Sequence, residues 1–350
     1  RPAFKKERGL NSAPTERVYP GTPQHIMPFP QDLPENRLGL AQWLFDQKNP
    51  LTARVTVNRY WQMIFGRGIV STPEDFGSQG DLPSHPELLD WLAVEFSTDW
   101  DLKRLLKLMV MSSTYRQSVE ISPELLRKDP SNLLLARGPQ VRLQAELIRD
   151  HALSVSGLLS KQVGGPSVMP YQPKGLWLQV ASGNQELKEY IQGHGPELYR
   201  KSMYTFWKRS LPPPSMIIFD AATREQCAVE RQSTSTPMQA LVLMNDPQFV
   251  EASRLIAQRM LFEGGKTDRD RIQFAFRLAT SRTPGEKELA LLTSLLQDQL
   301  KVFQSEPGRA EQFLKIGEYL AEQEADMIEL AAYTVVANTI MNLSETILKG

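Results

Sequence analysis

Cysteine is nearly absent. Cys227 stands alone in 350 residues, so an internal disulfide and a cysteine-rich zinc site are both excluded. Histidine is almost as scarce. His25, His85, His151 and His194 are scattered, and no two have the spacing of a metal pair on a helix face, so we expect no transition-metal site. An excess of one charge is also missing. Forty basic residues balance forty acidic ones, which argues against an electrostatic nucleic-acid binder. No apolar run approaches the roughly 20 residues of a membrane span. The opening RPAFKKERGL has no apolar core like that of a signal peptide. It also begins without Met, so we read the chain as an excised or processed piece whose missing signal says little about the parent protein. An acidic loop with EF-hand spacing and a G-x-S-x-G nucleophile elbow are lacking too.

What is present is core material. The chain is 41% hydrophobic and 23% charged, enough for one large or two ordinary domains. Residues 1–35 form an extended, Pro-rich arm, because the run YPGTPQHIMPFPQDLPEN with its five prolines cannot be a regular helix. From Asn36 the pattern is helical. Asn36 and Asn49 are expected caps, Gly66 a helix end, and Ser84 with Glu87 has capping-box spacing. Further amphipathic helices are expected near Asp101–Tyr115 and Leu143–Leu159. Residues 164–235 are irregular, with adjacent glycines, a triple proline and aromatic stretches that suggest short strands or extended segments. Thr283, Pro284 and Glu286 mark one of the later helix starts. The fold class is therefore mainly α: a helical globular domain over 36–350, with N-terminal helices (36–163), an irregular, partly extended central segment (164–235) and C-terminal helices (236–350).

One window, RQSTSTPMQALVLMNDPQFVEA from Arg231 to Ala252, concentrates side chains able to contact a ligand. Part of it is capping. Thr236, Pro237 and Gln239 fit a capping box, and Asn245, Asp246 and Pro247 a second start. Met238, Leu241, Val242 and Met244 are expected in the core. Arg231, Gln232, Ser233, Thr234 and Ser235 lie ahead of a helix N-terminus, where free backbone N–H groups favour an anion.

The same window resembles the signature of a planctomycete-specific domain of unknown function. The resemblance extends through NRLGLAQWLFDQKNPLTARVTVNRYWQMIFGRG, SSTYRQS, LLARGP, GGPSVMPYQPKGLW, LYRKSMYTFWKRSLPPPSMIIFDAATREQC and RIQFAFRLATSRTPGEKEL. Departures from that pattern are Asp99, Glu230, Ser233 and Ser235. The resemblance implies a C-terminal position in large multidomain proteins, behind a cytochrome-c-like segment. It implies an exported protein, periplasmic or associated with the cell envelope. It carries over no catalytic residue. Any c-type haem would sit elsewhere in the parent protein, since this chain has no C-x-x-C-H.

Three constellations carry possible chemistry. Asp220, Arg224, Arg231 and Asp246, with Gln239, Asn245 and Thr234, either line a pocket for a sugar or carboxylate or form salt bridges among themselves. In LYRKSMYTFWKRS, Trp207 and its aromatic neighbours alternate with basic residues. That pattern suits stacking on sugar rings and equally suits a half-buried strand. Asn58, Arg59 and Trp61 with Glu74, Asp75 and His85 are the third set, in which adjacent carboxylates do not predict a glycosidase pair. Cys227 without a nearby His is expected to be a small hydrophobe. The functional expectation is a non-catalytic binding or scaffolding module with no cofactor of its own. Its expected partners are the neighbouring domains of the parent and a polysaccharide. The alternative is a polysaccharide-acting enzyme.

Overall fold

The computed structural model describes residues 2–180, 189–320 and 325–349. Its elements are mainly helical, and they cluster into two compact units, Arg1–Gln140 and Val141–Gly350. The division falls within the 36–163 helical stretch defined by the sequence.

In the first unit the Pro-rich arm opens with a hairpin, β1 (Ala3–Lys6) antiparallel to β2 (Pro14–Val18). Every residue of both strands is exposed. The arm is tied to α1 (Arg37–Leu44) by Trp43 Nε1 donating to Met27 O at 3.0 Å. Asn36 caps α1, accepting from Leu38 N and Gly39 N. A Cβ at Gly39 would lie 2.0 Å from Pro34 O, so only glycine admits the arm this closely. The unit then runs through α2 (Thr52–Phe65), α3 (Pro86–Ser97), α4 (Leu102–Met111) and α5 (Pro123–Lys128). Asn49 accepts from Leu51 N and Thr52 N ahead of α2, and Gly66 at φ 83° ends it. Val57, Trp61, Leu89, Leu92, Phe96, Leu105 and Met109 form the core between α2, α3 and α4. The expected box at Ser84 and Glu87 does not form. His85 occupies the N-cap position without a capping bond, because the Ser84 hydroxyl donates instead to Ile69 O.

The second unit begins at β3 (Val141–Arg142) and continues through α6 (Ala145–Ser156), α7 (Leu176–Val180) and α8 (Pro214–Ile218). It ends with α9 (Pro237–Asn245), α10 (Pro247–Glu263), α11 (Asp268–Thr280), α12 (Glu286–Ser305), α13 (Pro307–Leu314), α14 (Met327–Met341), α15 (Ser344–Ile347) and β4 (Leu348–Lys349). β3 pairs antiparallel with β4, so the unit's first and last strands lie side by side. α14 is buried from Leu330 to Ala332 and again at Tyr333, Val336, Ala337 and Ile340. A helix apolar on all sides belongs in the middle, and α14 packs against α10, α12 and α13.

The central segment differs from expectation in its strands. Its pairings shrink to isolated bridges at Ser160–Arg200, Val168–Thr205 and Lys208–Leu211. The start of α12 also shifts, with Gly285 at the N-cap and Glu288 Oε2 accepting from its N–H at 2.7 Å. Met238, Leu241 and Met244, expected in the core, are about half exposed (55%, 51% and 49%). The buried positions of α9 are Gln239 and Leu243. Helical spacing alone does not say which side of so uniformly apolar a helix faces inward.

Candidate functional site

The site is built where the irregular segment crosses the N-terminal ends of α6 and α9. Asp220 follows α8 with φ 62°. There its carboxylate accepts from Thr234 N at 2.8 Å and from Thr234 Oγ1 at 2.9 Å. Gln239 extends this network. Its amide donates to Ile218 O at 2.8 Å and to Thr234 Oγ1 at 3.2 Å. Its Oε1 accepts from Arg142 Nη2 at 2.7 Å and from Thr236 N at 3.3 Å, the latter being the expected capping contact. Gln239 is buried, and a buried amide is stable only with both ends engaged.

Arg231 donates to Glu146 Oε2 at 2.7 Å, joining the loop to the first turn of α6. Burial acts to raise the Glu146 pKa. The hydrogen bond from Arg231, helped by the charges of Arg231 and Arg224, outweighs it and holds the carboxyl below its ordinary value. Arg224 has φ 63°, and its guanidinium lies 4.3 Å above the Trp207 ring. Trp207 is held in turn by Nε1 donating to Thr223 O at 3.1 Å. Among the described residues, Arg224 makes no hydrogen bond or ion pair, so its donors are unspent.

The expectation that Asp220, Arg224, Arg231 and Asp246 engage one another is overturned by these partners. Asp220 binds Thr234, Arg231 binds Glu146, and Arg224 stacks on Trp207. Asp246 caps α10, accepting from Gln248 N at 3.1 Å. Burial pushes its carboxyl up to about 6. Asn245 only closes its own helix, donating to Leu241 O at 2.8 Å. Asp220, Thr234 and Gln239 therefore form one network. Arg231 and Glu146, and Arg224 on Trp207, complete the surface, while Asn245 stays outside it.

Arg149 and Glu146 escaped the sequence reading. Arg149 is buried, donating to Gln248 Oε1 at 2.6 Å, Leu198 O at 2.6 Å, Arg200 O at 2.8 Å and Ser202 Oγ at 3.1 Å. It ties α6, the start of α10 and the 198–202 loop together beneath the site. Its signal was present: Arg149 falls on the stripe of Ala145, Ile148, Ala152, Leu153 and Ser156 that α6 buries. Glu251 on α10 is likewise fully buried, accepting from Tyr199 OH at 3.1 Å and Tyr319 N at 2.7 Å.

The aromatic stretch presents few bare ring faces. Arg200 lies 3.9 Å over Tyr204, and Lys208 lies 4.4 Å over Trp177. Phe206 packs on Trp177, with ring centroids 5.8 Å apart. Cys227 is exposed rather than a buried hydrophobe. Among the described residues, no group of three His, Cys, Asp or Glu side chains is arranged to hold a metal ion.

A family described as PSD1, protein of unknown function (DUF1553), matches residues 36–296. The chain belongs to the DUF1553 family. The DUF1553 match spans both units and includes every candidate residue named above. It ends within α12, so α14, which fills the core of the second unit, lies beyond it. No curated protein and no solved structure matches the chain.

Proposed function

We propose that this DUF1553 chain is a non-catalytic binding module whose ligand is an acidic glycan, held through a sulfate or carboxylate by Arg224. One observation carries the reading. Arg224 is fixed by stacking on Trp207 at 4.3 Å, yet no hydrogen bond or ion pair among the described residues uses its donors. An arginine held flat on an aromatic ring loses little freedom when its planar fork meets an oxyanion. The ring face itself is occupied, which favours a charged sugar over a neutral one that needs bare aromatic surface. The carboxylates nearby are engaged, Asp220 by Thr234 and Glu146 by Arg231. That favours binding over the paired acid and base of a glycoside hydrolase.

The setting belongs to the same proposal. The sequence resemblance supports a planctomycete-type multidomain parent, exported to the periplasm or cell envelope, with neighbouring cytochrome-c-like and other domains as partners. In that setting haem chemistry resides in the neighbours, and this chain contributes recognition. No described helix is long and apolar enough to cross a membrane.

A thermal-shift screen tests the reading. At about 100 times the dissociation constant, a ligand stabilises by about 2.7 kcal/mol, a shift of about 4 °C for a chain this size. Sulfated or uronate-rich oligosaccharides should produce it and neutral ones should not. Arg224→Gly should abolish it without lowering the intrinsic Tm, because glycine accepts the φ of 63° at position 224. A shift with neutral sugars alone, or one unchanged in Arg224→Gly, would sink the proposal.

A further inference from the structure

The first unit holds a small polar cavity of about 40 Å³, distant in sequence from the glycan site and independent of that reading. Its polar lining is Arg67, Ser84, His85, Ser131 and Asn132, on a floor that includes Trp61 and Phe65. Among the described residues, no carboxylate lines it.

Each wall is pinned from behind. The 66–70 turn is clamped by fully buried Asn58, which donates to Val70 O at 3.0 Å and accepts from Val70 N at 2.8 Å. Gly68 sits so close to this clamp that a Cβ would lie 2.7 Å from Asn58 Nδ2 and 2.3 Å from Val70 O. The second wall is locked to the first by Ser84, whose N–H and hydroxyl both donate to Ile69 O. The Ser84 oxygen also meets His85 Nδ1 at 3.0 Å. The third wall is held by Asp129, which accepts from Leu133 N and Leu134 N at 2.8 Å. There Asn132 exchanges two hydrogen bonds with the Arg137 backbone.

Two donors on this rigid frame have no partner among the described residues, the Arg67 guanidinium and the Ser131 hydroxyl. One water needs roughly 10–15 Å³ of such space, so the cavity admits a group of a few heavy atoms. A guanidinium and a free hydroxyl, with no acid among the described lining residues, select for negative charge spread over several oxygens. We infer that this cavity is a binding site for a tetrahedral oxyanion of the phosphate type, with Arg67 as its principal contact and Ser131 as a second donor.

Titration of inorganic phosphate into the full chain, followed by calorimetry, tests this. The wild-type protein should bind phosphate saturably. Arg67→Ala should weaken binding about tenfold or more, and Ser131→Ala should weaken it less. Arg67 is exposed and has no partner among the described residues, so its variant should keep the wild-type near-ultraviolet circular dichroism. Arg224→Gly should bind phosphate as the wild type does, which separates this cavity from the glycan site. Phenyl phosphate supplies a second arm. If it competes, the site takes a phosphate borne on a larger molecule; if it does not, the free ion is the ligand, and both outcomes support the oxyanion site. Failure of the wild type to bind phosphate would overturn the inference, as would wild-type affinity in Arg67→Ala or loss of binding in Arg224→Gly.

Discussion

Asp246 serves two opposed roles at a single residue. As the N-cap of α10 it accepts a backbone hydrogen bond, and burial raises its pKa from an ordinary 3.8 to about 6. Between those values the folded protein holds a proton that the unfolded chain has released. The stability contributed by this group is therefore full below about pH 4 and is lost as pH rises through about 6. Asn in its place still caps and does not titrate. The Tm of the wild type minus that of Asp246→Asn should fall as pH rises from 4 to 7, and a difference that stays flat or rises would refute the burial account. Single residues divide sharply in how legible they were. The caps at Asn36, Asn49 and Asp246 were readable because capping is local chemistry between near neighbours in sequence. The partners of Asp220 and Arg231 were not. Thr234 and Glu146 lie 14 and 85 residues away, and only the packed fold decides which pairs meet.

Elements join through buried polar centres as well as through apolar faces. Arg149 fastens α6 to Gln248 on α10 and to the carbonyls of Leu198 and Arg200. The irregular segment has few regular backbone pairings of its own, and this side chain substitutes for a sheet. Arg149→Met keeps much of the volume but strands two buried carbonyls and the Gln248 side chain. We expect it to destabilise the protein by about 3–5 kcal/mol, read from the urea midpoint, with site ligands no longer bound. A loss under about 1 kcal/mol would mean the loop is held by other contacts. Helix positions were legible from apolar periodicity, as α4 and α6 illustrate. The facing of α9 was not, because PMQALVLMN is apolar on nearly every side and burial of Leu243 rather than Leu241 follows from what packs against it.

At the scale of the whole molecule, the chain comprises two units with separate cores. That of the second runs from Ala145 on α6 to Met341 on α14, and β3 with β4 pins its two ends together. A chain starting at Val141 should therefore unfold cooperatively on its own, and denaturant curves without a sharp transition would contradict that. The mainly helical class was legible in composition and periodicity. The break at Gln140 was not, since helical patterns flank it on both sides.

The central claim is recognition without chemistry at Arg224. Its most direct test is one nuclear magnetic resonance titration of a sulfated oligosaccharide, observing protein and sugar in the same tube. We predict saturable shifts in the Trp207 indole signal that vanish in Arg224→Gly, with the sugar spectrum chemically unchanged after prolonged incubation. Cleavage of the sugar, or shifts that persist in Arg224→Gly, would contradict the account.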